Sequence, residues 1–327
     1  MITLDGDPMN DPLANRPDKT DGNVDVSVIL CTYNRKESAR KTLESFRGLA
    51  ISPSVQWELL FVDNNSSDGT AELPGDYQDD LPIRYCFEGE PGKSNALNHG
   101  IRVSHGSLLL FTDDDVDVTP DWITAYLEAQ RNHPEAFFFG GRVWPRWESE
   151  PPGWVRENVG WLRINPYLDQ GEGEKLLLPG TPPYFIGANM AILRDVFDHG
   201  LQFQKHLGPT AEGQIRGEEI ELERTLLKDG KIGLYVPGSI VYHRHPRERM
   251  TESYLRRYYV GEGTGRGLFE TLPGRRFMGA PLYLWKELTI TAVLYVLWRF
   301  TAPSKVWLQA EIRCALAFGT IQALLTD

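Results

Sequence analysis

An α/β fold, with a mostly parallel sheet flanked by helices and a helical appendage at the C-terminus, is what this sequence predicts, on two observations. The first is a strand, helix, strand succession in βαβ spacing between Val26 and Val62. The second is Leu108-Leu109-Leu110-Phe111, an apolar run that stops abruptly at Thr112-Asp113-Asp114-Asp115. Such a run reads as a buried strand of a parallel sheet entering a loop at its carboxyl end, where open α/β sheets bind ligands.

If extended geometry persists through the acidic triplet, the period of two turns Asp113 and Asp115 to one side and Asp114 to the other. Two carboxylates converging on one point repel each other unless a cation sits between them. Hard oxygen ligands of this kind suit Mg²⁺ or Mn²⁺ shared with a diphosphate. A solvated acidic loop before the helix that begins near Pro120 is the bland alternative, and the phosphate-compatible segments upstream weigh against it.

The 327 residues suffice for a sizeable core, as one large domain or a domain with an appendage. With 34 basic against 45 acidic residues the net charge is −11, which argues against a nucleic-acid partner. Cys31, Cys86 and Cys314 lie far apart without metal-ligand spacing, so neither a disulfide framework nor a structural zinc is expected, and the expected location is cytoplasmic. Cys31, although near the ligand loop, reads as a small buried residue after a strand.

Taken in order, residues 1–25 are rich in Asp, Asn, Pro and Gly, lack the basic start and apolar core of a secretory signal, and are expected to form a disordered leader. A strand over 26–31 is followed by Thr32-Tyr33-Asn34-Arg35 and a helix over 37–49. The next strand, 57–62, also ends in a carboxylate, Asp63, before the turn-rich segment 64–70. A third strand at 83–87 leads into Pro91-Gly92-Lys93-Ser94, a glycine-basic turn opening a helix whose amino end would face a phosphate. That turn lacks the full spacing of a P-loop.

These segments, Val26 to Arg35, Val62 to Thr70, Gly92 to Gly100 and Thr112 to Asp115, resemble in order the nucleotide-sugar half of the family 2 glycosyltransferases. The likeness covers about 25–125, and later pieces extend it to about 265. It implies a GT-A type fold, a Rossmann-like sheet with the nucleotide across the strand ends, and an inverting transfer from a UDP-linked sugar. It implies that Thr32, Tyr33 and Arg35 line the nucleotide, that Asp63 accepts a hydrogen bond from the base, and that Lys93 lies near the diphosphate. Asp113 and Asp115 match the family's DxD motif, with Asp115 in direct metal contact and Asp113 or Asp114 nearer the ribose. By residue chemistry alone, Asp63 could equally cap a turn and Lys93 could be a solvated surface charge.

Beyond a strand over 137–143 the chain places Trp144, Trp147, Trp154 and Trp161 among prolines. Each could fill a core, but aromatic faces also stack on sugar rings, so this region is assigned to the acceptor side. Phe185 to Ala191 resembles the family's glycine-asparagine segment beneath the donor sugar, followed by a helix near Arg194. The stretch Gly217-Glu218-Glu219, continuing to Lys228 and Gly230, reads as a helix with acids at its positive end and a base at the other. It also resembles the family's ED motif, where the second residue is usually aspartate. Transfer to a hydroxyl needs a general base, and Glu219 is assigned that role with Glu218 in reserve.

Strands over 232–237 and 239–242 precede His243-Arg244-His245, whose histidines face one way if extended. His243 is assigned to the metal shell, with a hydrogen-bonded or phosphate-facing role as its alternative; Arg247 or Arg249 would neutralise the leaving diphosphate. Ser253 to Gly263 would close over the donor as a basic, aromatic lid. The tail, 266–327, reads as two amphipathic helices over 288–298 and 306–325. They would pack on the catalytic domain or a second subunit, or lie in a membrane interface at the inner face of the cell membrane. The domain expected over 26–265 would divide into a donor half, 26–125, and an acceptor and catalytic half, 126–265. The sequence therefore predicts a metal-dependent glycosyltransferase acting on a glycan or glycolipid hydroxyl. A sugar nucleotidyltransferase and a non-catalytic carbohydrate-binding protein are the alternatives.

Overall fold

The computed structural model describes residues 24–164, 166–198, 200–205, 207 and 217–326. Of the leader expected over 1–25, residues 1–23 lie outside that set. Strand β1 (Val26–Thr32) is buried along almost its whole length, so both of its faces need cover. Helix α1 (Lys36–Phe46) covers one, burying Ala39, Thr42, Leu43 and Phe46 at the spacing of a single helical face. It stops at Phe46 rather than near residue 49, where Arg47, Gly48 and Leu49 take up tighter hydrogen bonds to the carbonyls three residues back.

Strand β2 (Trp57–Asp63), β3 (Ile83–Phe87), helix α2 (Lys93–Val103) and β4 (Leu108–Asp113) complete the half with the expected pattern. β1 is parallel to both β2 and β4, and β2 to β3. The register sets Thr32 opposite Asp63, Cys31 opposite Asp113, and Asp63 opposite Phe87, so four strands end at one level. The crevice beyond those carboxyl ends holds the candidate site.

The second half adds β5 (Val116–Val118), α3 (Trp122–Asn132), β6 (Ala136–Trp147), α4 (Gly153–Arg156), β7 (Lys175–Leu177), β8 (Met190–Leu193), α5 (Asp195–Asp198), α6 (Glu218–Lys228) and β9 (Ile232–His245). Among the described residues the main sheet runs β3-β2-β1-β4-β8-β6-β9-β5, with β7 also on β9. β8 is antiparallel to β4 and β6, whereas β6 and β9 are parallel. The two strands expected over 232–237 and 239–242 are one. Gly141 pairs with Val236 and Arg142 with Ile240, so the residues around Pro237 bulge while the ladder continues. β6 likewise runs past residue 143; Pro145 is tolerated there because β8 borders β6 only from Phe138 to Gly140, leaving an open edge beside the proline.

Asn189 fixes how this half meets the site. Its Oδ1 accepts from Trp122 Nε1 at 2.7 Å and Tyr126 OH at 2.8 Å, and its Nδ2 donates to the Arg142 and Ser239 carbonyls. The Gly140-Gly141 pair admits this approach, since a Cβ on Gly140 would overlap the Phe185 ring and one on Gly141 the Asn189 amide.

Helix α7 (Glu252–Phe269), capped by the Thr251 hydroxyl accepting from Tyr254 N at 3.2 Å, runs through the boundary expected near 265. The hairpin of β10 (Arg276–Phe277) and β11 (Ala280–Pro281) leads to α8 (Leu282–Trp298) and α9 (Ser304–Thr326). α9 packs along α7 and α8, and a second apolar core gathers Leu162, Leu255, Tyr259, Trp307 and Leu308. The backbones approach so closely that a Cβ at Gly263 would overlap the Leu316 carbonyl, and the Cβ of any larger residue at Gly319 would overlap the Val260 carbonyl. Gly319→Val is therefore expected to destabilise the protein by about 1–3 kcal/mol through overpacking. Thermal denaturation should show the drop; an unchanged midpoint would mean that the helices part without cost. Among the described residues, no helix is long and apolar enough to cross a membrane.

Candidate functional site

Extended geometry does not persist through the acidic triplet. β4 ends at Asp113, and Asp114 and Asp115 form a turn into β5. The turn nonetheless separates the three as alternation would. Asp113, Asp115 and His243 present ligand atoms within 4.8 Å of one another. Asp114 instead accepts from the Thr32 hydroxyl at 2.8 Å and from Arg35 Nη1 at 2.9 Å.

Of the three aspartates, Asp115 is the most heavily countered. Arg35 Nη1 lies 3.1 Å and Arg249 Nη2 2.8 Å from its Oδ2, and His243 Nε2 is 3.2 Å from its Oδ1. Burial would raise its pKa, but His243, Arg249 and Arg35 outweigh burial and hold it far below the usual carboxylate range. Burial lowers the pKa of His243 despite Asp115. Behind the turn, buried Arg244 donates to the carbonyls of Val116, Asp114 and Ser38 and to the Thr42 hydroxyl, pinning the triplet to α1. His245 stacks on His243 with ring centroids 4.8 Å apart.

The second acidic element faces the first across one cavity of about 730 Å³, whose walls include Thr32, Arg35, Lys93, Asp113, Asp115 and Glu219. Lys93 opens α2 and joins the two elements, its Nζ 2.7 Å from Asp113 Oδ1 and 3.5 Å from Glu218 Oε1. Its entry turn is held by Asn64, which accepts from Gly92 N at 2.8 Å and donates to the Glu88 and Glu90 carbonyls. Gly217 reaches φ +107° just before α6, a left-handed conformation that glycine adopts without strain. Glu218 is buried; Glu219 is half-buried, and burial together with Glu218 raises its carboxyl to about 7, with Lys93 opposing.

Several expected placements are corrected. Arg247 is exposed and does not line the cavity, whereas Arg249 on the same short turn does, because that turn directs only one of the two side chains inward. Asp63 is buried beneath the cavity wall, one oxygen accepting from Ser66 N at 2.9 Å and the other from Tyr85 OH at 3.1 Å; its neighbour Asn64 lines the wall instead. Of the four clustered tryptophans only Trp161 lines the cavity. Trp144 meets Tyr242, Trp147 meets His245 and Trp154 packs on Trp307. The segment expected as a lid is part of α7, which contributes Tyr254 and Tyr258 to the wall. Tyr33, Phe185, Gly187 and Ala188 line the cavity as well.

Glu223 escaped the sequence reading. Fully buried one turn beyond Glu219, it accepts from the backbone N–H groups of Tyr184 and Phe185 at 3.1 and 3.2 Å, and burial keeps its pKa well above the ordinary carboxylate value. An acid on a charged helix looks solvated in sequence, and these partners are far away along the chain.

Two carboxylates and an imidazole within reach of one point form a donor set that fits a divalent cation. The surrounding Arg35, Lys93 and Arg249 suit a bound polyphosphate.

Residues 27–201 match the family profile described as Glycosyl transferase family 2. The chain is 31% identical over 130 residues to the glucosyl-dolichyl phosphate glucuronosyltransferase of Haloferax volcanii, covering 39% of this chain and 41% of that protein. It is also 31% identical over 124 residues to validoxylamine A glucosyltransferase of Streptomyces hygroscopicus subsp. limoneus, covering 37% and 27%. The matches thus span less than half the length of these curated relatives. Among solved structures, the chain resembles the mannosyltransferase PcManGT of Pyrobaculum calidifontis in complex with GDP-Man and Mn²⁺, with TM-score 0.61, 16% identity and coverage of 92% of this chain and 87% of that one. S. aureus TarS 1-349 in complex with UDP aligns with TM-score 0.53 and 14% identity over 91% and 90%. These likenesses establish the GT-A arrangement of a mixed, mostly parallel sheet between helices.

Proposed function

The chain belongs to glycosyl transferase family 2, and from that premise we propose that it transfers a sugar from a nucleotide diphosphate donor, a UDP-sugar by preference, to a hydroxyl of a glycan or glycolipid. The observation that carries this reading is Lys93, whose ammonium reaches Asp113 on one acidic element and Glu218 on the other, so that both serve a single cavity.

Thr32, Tyr33 and Arg35 line the nucleotide, and Asp114 orients Arg35. Asp113, Asp115 and His243 would hold Mg²⁺ or Mn²⁺, and the bound cation would supply positive charge to offset that developing on a departing diphosphate. Lys93 and Arg249 exchange their carboxylate partners for phosphate oxygens as donor enters. On the acceptor side the Glu219 carboxylate removes the hydroxyl proton. The freed oxygen bonds to the anomeric carbon from the face opposite the diphosphate, and the diphosphate leaves with the electron pair of the broken C–O bond. Glu218 fixes Lys93, and Glu223 holds the Tyr184–Phe185 wall against α6. Residues 26–125 form the donor half, and the acceptor and catalytic half runs from 126 to the end of α7 at 269.

Calorimetric titration with UDP, GDP, dTDP and CMP, with and without Mn²⁺ or Mg²⁺, tests the donor assignment. UDP and GDP are the pair to separate first, since the solved neighbours hold UDP in one case and GDP-Man in the other. UDP is expected to bind at least tenfold more tightly with the cation than without it. Absence of binding by every nucleotide would overturn the reading, and pyrophosphate release from a nucleoside triphosphate would replace it with nucleotidyl transfer.

A further inference from the structure

We propose that the outer face of α8 and the β10–β11 hairpin form a docking surface for a lipid bilayer carrying anionic head groups. The proposal goes beyond the transfer reaction and does not rest on it. A surface helix ordinarily turns polar residues to water. α8 instead exposes Leu282, Tyr283, Ile290, Val293, Val296 and Leu297, interrupted only by Lys286 and Thr289. Phe300, just past its end, is 88% exposed. An apolar face of this extent marks an interaction site.

The hairpin extends the same surface. Met278 at φ +46° and Gly279 at φ +81° form a tight turn that leaves Phe277 and Met278 exposed. Trp285 on α8 donates from Nε1 to the Phe277 carbonyl at 2.9 Å, and the two rings lie 6.2 Å apart, so hairpin and helix form one surface. With 17 residues at about 1.5 Å each, α8 is roughly 25 Å long, a length that lies along a bilayer surface with one apolar face immersed.

Charge selects the occupant. Residues 271–327 carry six basic and three acidic side chains, in a chain with 34 basic and 45 acidic. Arg275, Arg276, Lys286 and Lys305 are exposed around the apolar face. The acids nearest to it are already paired, Glu287 with Arg313 at 2.9 Å and Glu252 with Arg299 at 2.5 Å. A second copy of this chain would present the same basic charges, whereas anionic head groups complement them.

Flotation with phosphatidylcholine vesicles, and with vesicles of phosphatidylcholine mixed with phosphatidylglycerol, tests the proposal on the full chain. The protein is expected to float with the mixed vesicles, less so as salt is raised, and not with phosphatidylcholine alone. The double substitution Val293→Glu with Val296→Glu should reduce partitioning at least tenfold. Arg275→Glu with Lys286→Glu, two exposed side chains that make no hydrogen bond or ion pair among the described residues, should cost about fivefold for each charge removed. Wild-type protein that stays unbound, or variants that float as well as wild type, would overturn the proposal. Light scattering that shows a dimer, lost in the Val293→Glu, Val296→Glu protein, without any flotation, would overturn it in favour of a second copy.

Discussion

Glu219→Gln is expected to bind donor as the wild type does and to transfer sugar about 10³-fold more slowly, within the range a positioned general base supplies. Gln keeps the shape of the side chain at the cavity wall and removes only its capacity to take a proton. The wild-type carboxyl, raised to about 7 by burial and by Glu218, is already substantially ionised near neutrality and basic enough to accept the acceptor's proton in the transition state. As pH falls below about 7, wild-type kcat/KM should decline tenfold per unit, and this limb should be missing from the residual activity of the variant. A stability effect of opposite sense accompanies it. A carboxyl whose native value lies above its ordinary 4.5 favours the fold while protonated; that contribution is whole below pH 4.5 and is lost as pH rises through about 7. The Gln variant, neutral throughout, should therefore melt above the wild type at about pH 8 and converge with it toward pH 4.5. Transfer by Glu219→Gln at the wild-type rate would remove Glu219 as the base and leave Glu218 to be substituted next.

Much of this could be read from sequence because the signals are local. The strands of the parallel half are short apolar runs stopped by turn residues, and Asp113 to Asp115 follow directly from one of them. The mixed half depends on partners that no local window contains. β8 pairs with both β4 and β6, and β9 carries a proline-glycine bulge that looks like a break between two strands. Site residues divide the same way. Thr32, Arg35, Lys93 and Glu219 stand at strand or helix ends that face the crevice. Arg247 and Arg249 are two residues apart on one tight turn, and only the fold decides which turns inward. Composition alone points Trp144, Trp147 and Trp154 toward sugar recognition, yet their partners are Tyr242, His245 and Trp307, all distant in the chain.

Asp115→Asn should abolish the metal-dependent part of donor binding and lower transfer by roughly 10²–10³-fold, the several kcal/mol that a bound cation contributes to a phosphate-leaving transition state. The geometry makes the expected result more specific than a general loss. Asp115 is held by Arg35, Arg249 and His243, so in the wild type those groups must be shared between the carboxylate and an incoming diphosphate. Removing the negative charge frees both guanidiniums for phosphate. Binding of UDP without metal should then be at least as tight in the variant as in the wild type, while added Mn²⁺ should no longer improve it. Asp114→Asn is the contrast, because Asp114 faces Thr32 and Arg35 outside the Asp113, Asp115 and His243 cluster. It should weaken donor binding with and without Mn²⁺ alike and leave the ratio between the two intact. Calorimetric titrations of both variants give that ratio directly. A full response to Mn²⁺ in Asp115→Asn would mean that the cation is held elsewhere, and the cations around Asp115 would then be its permanent partners rather than a reserve for the diphosphate.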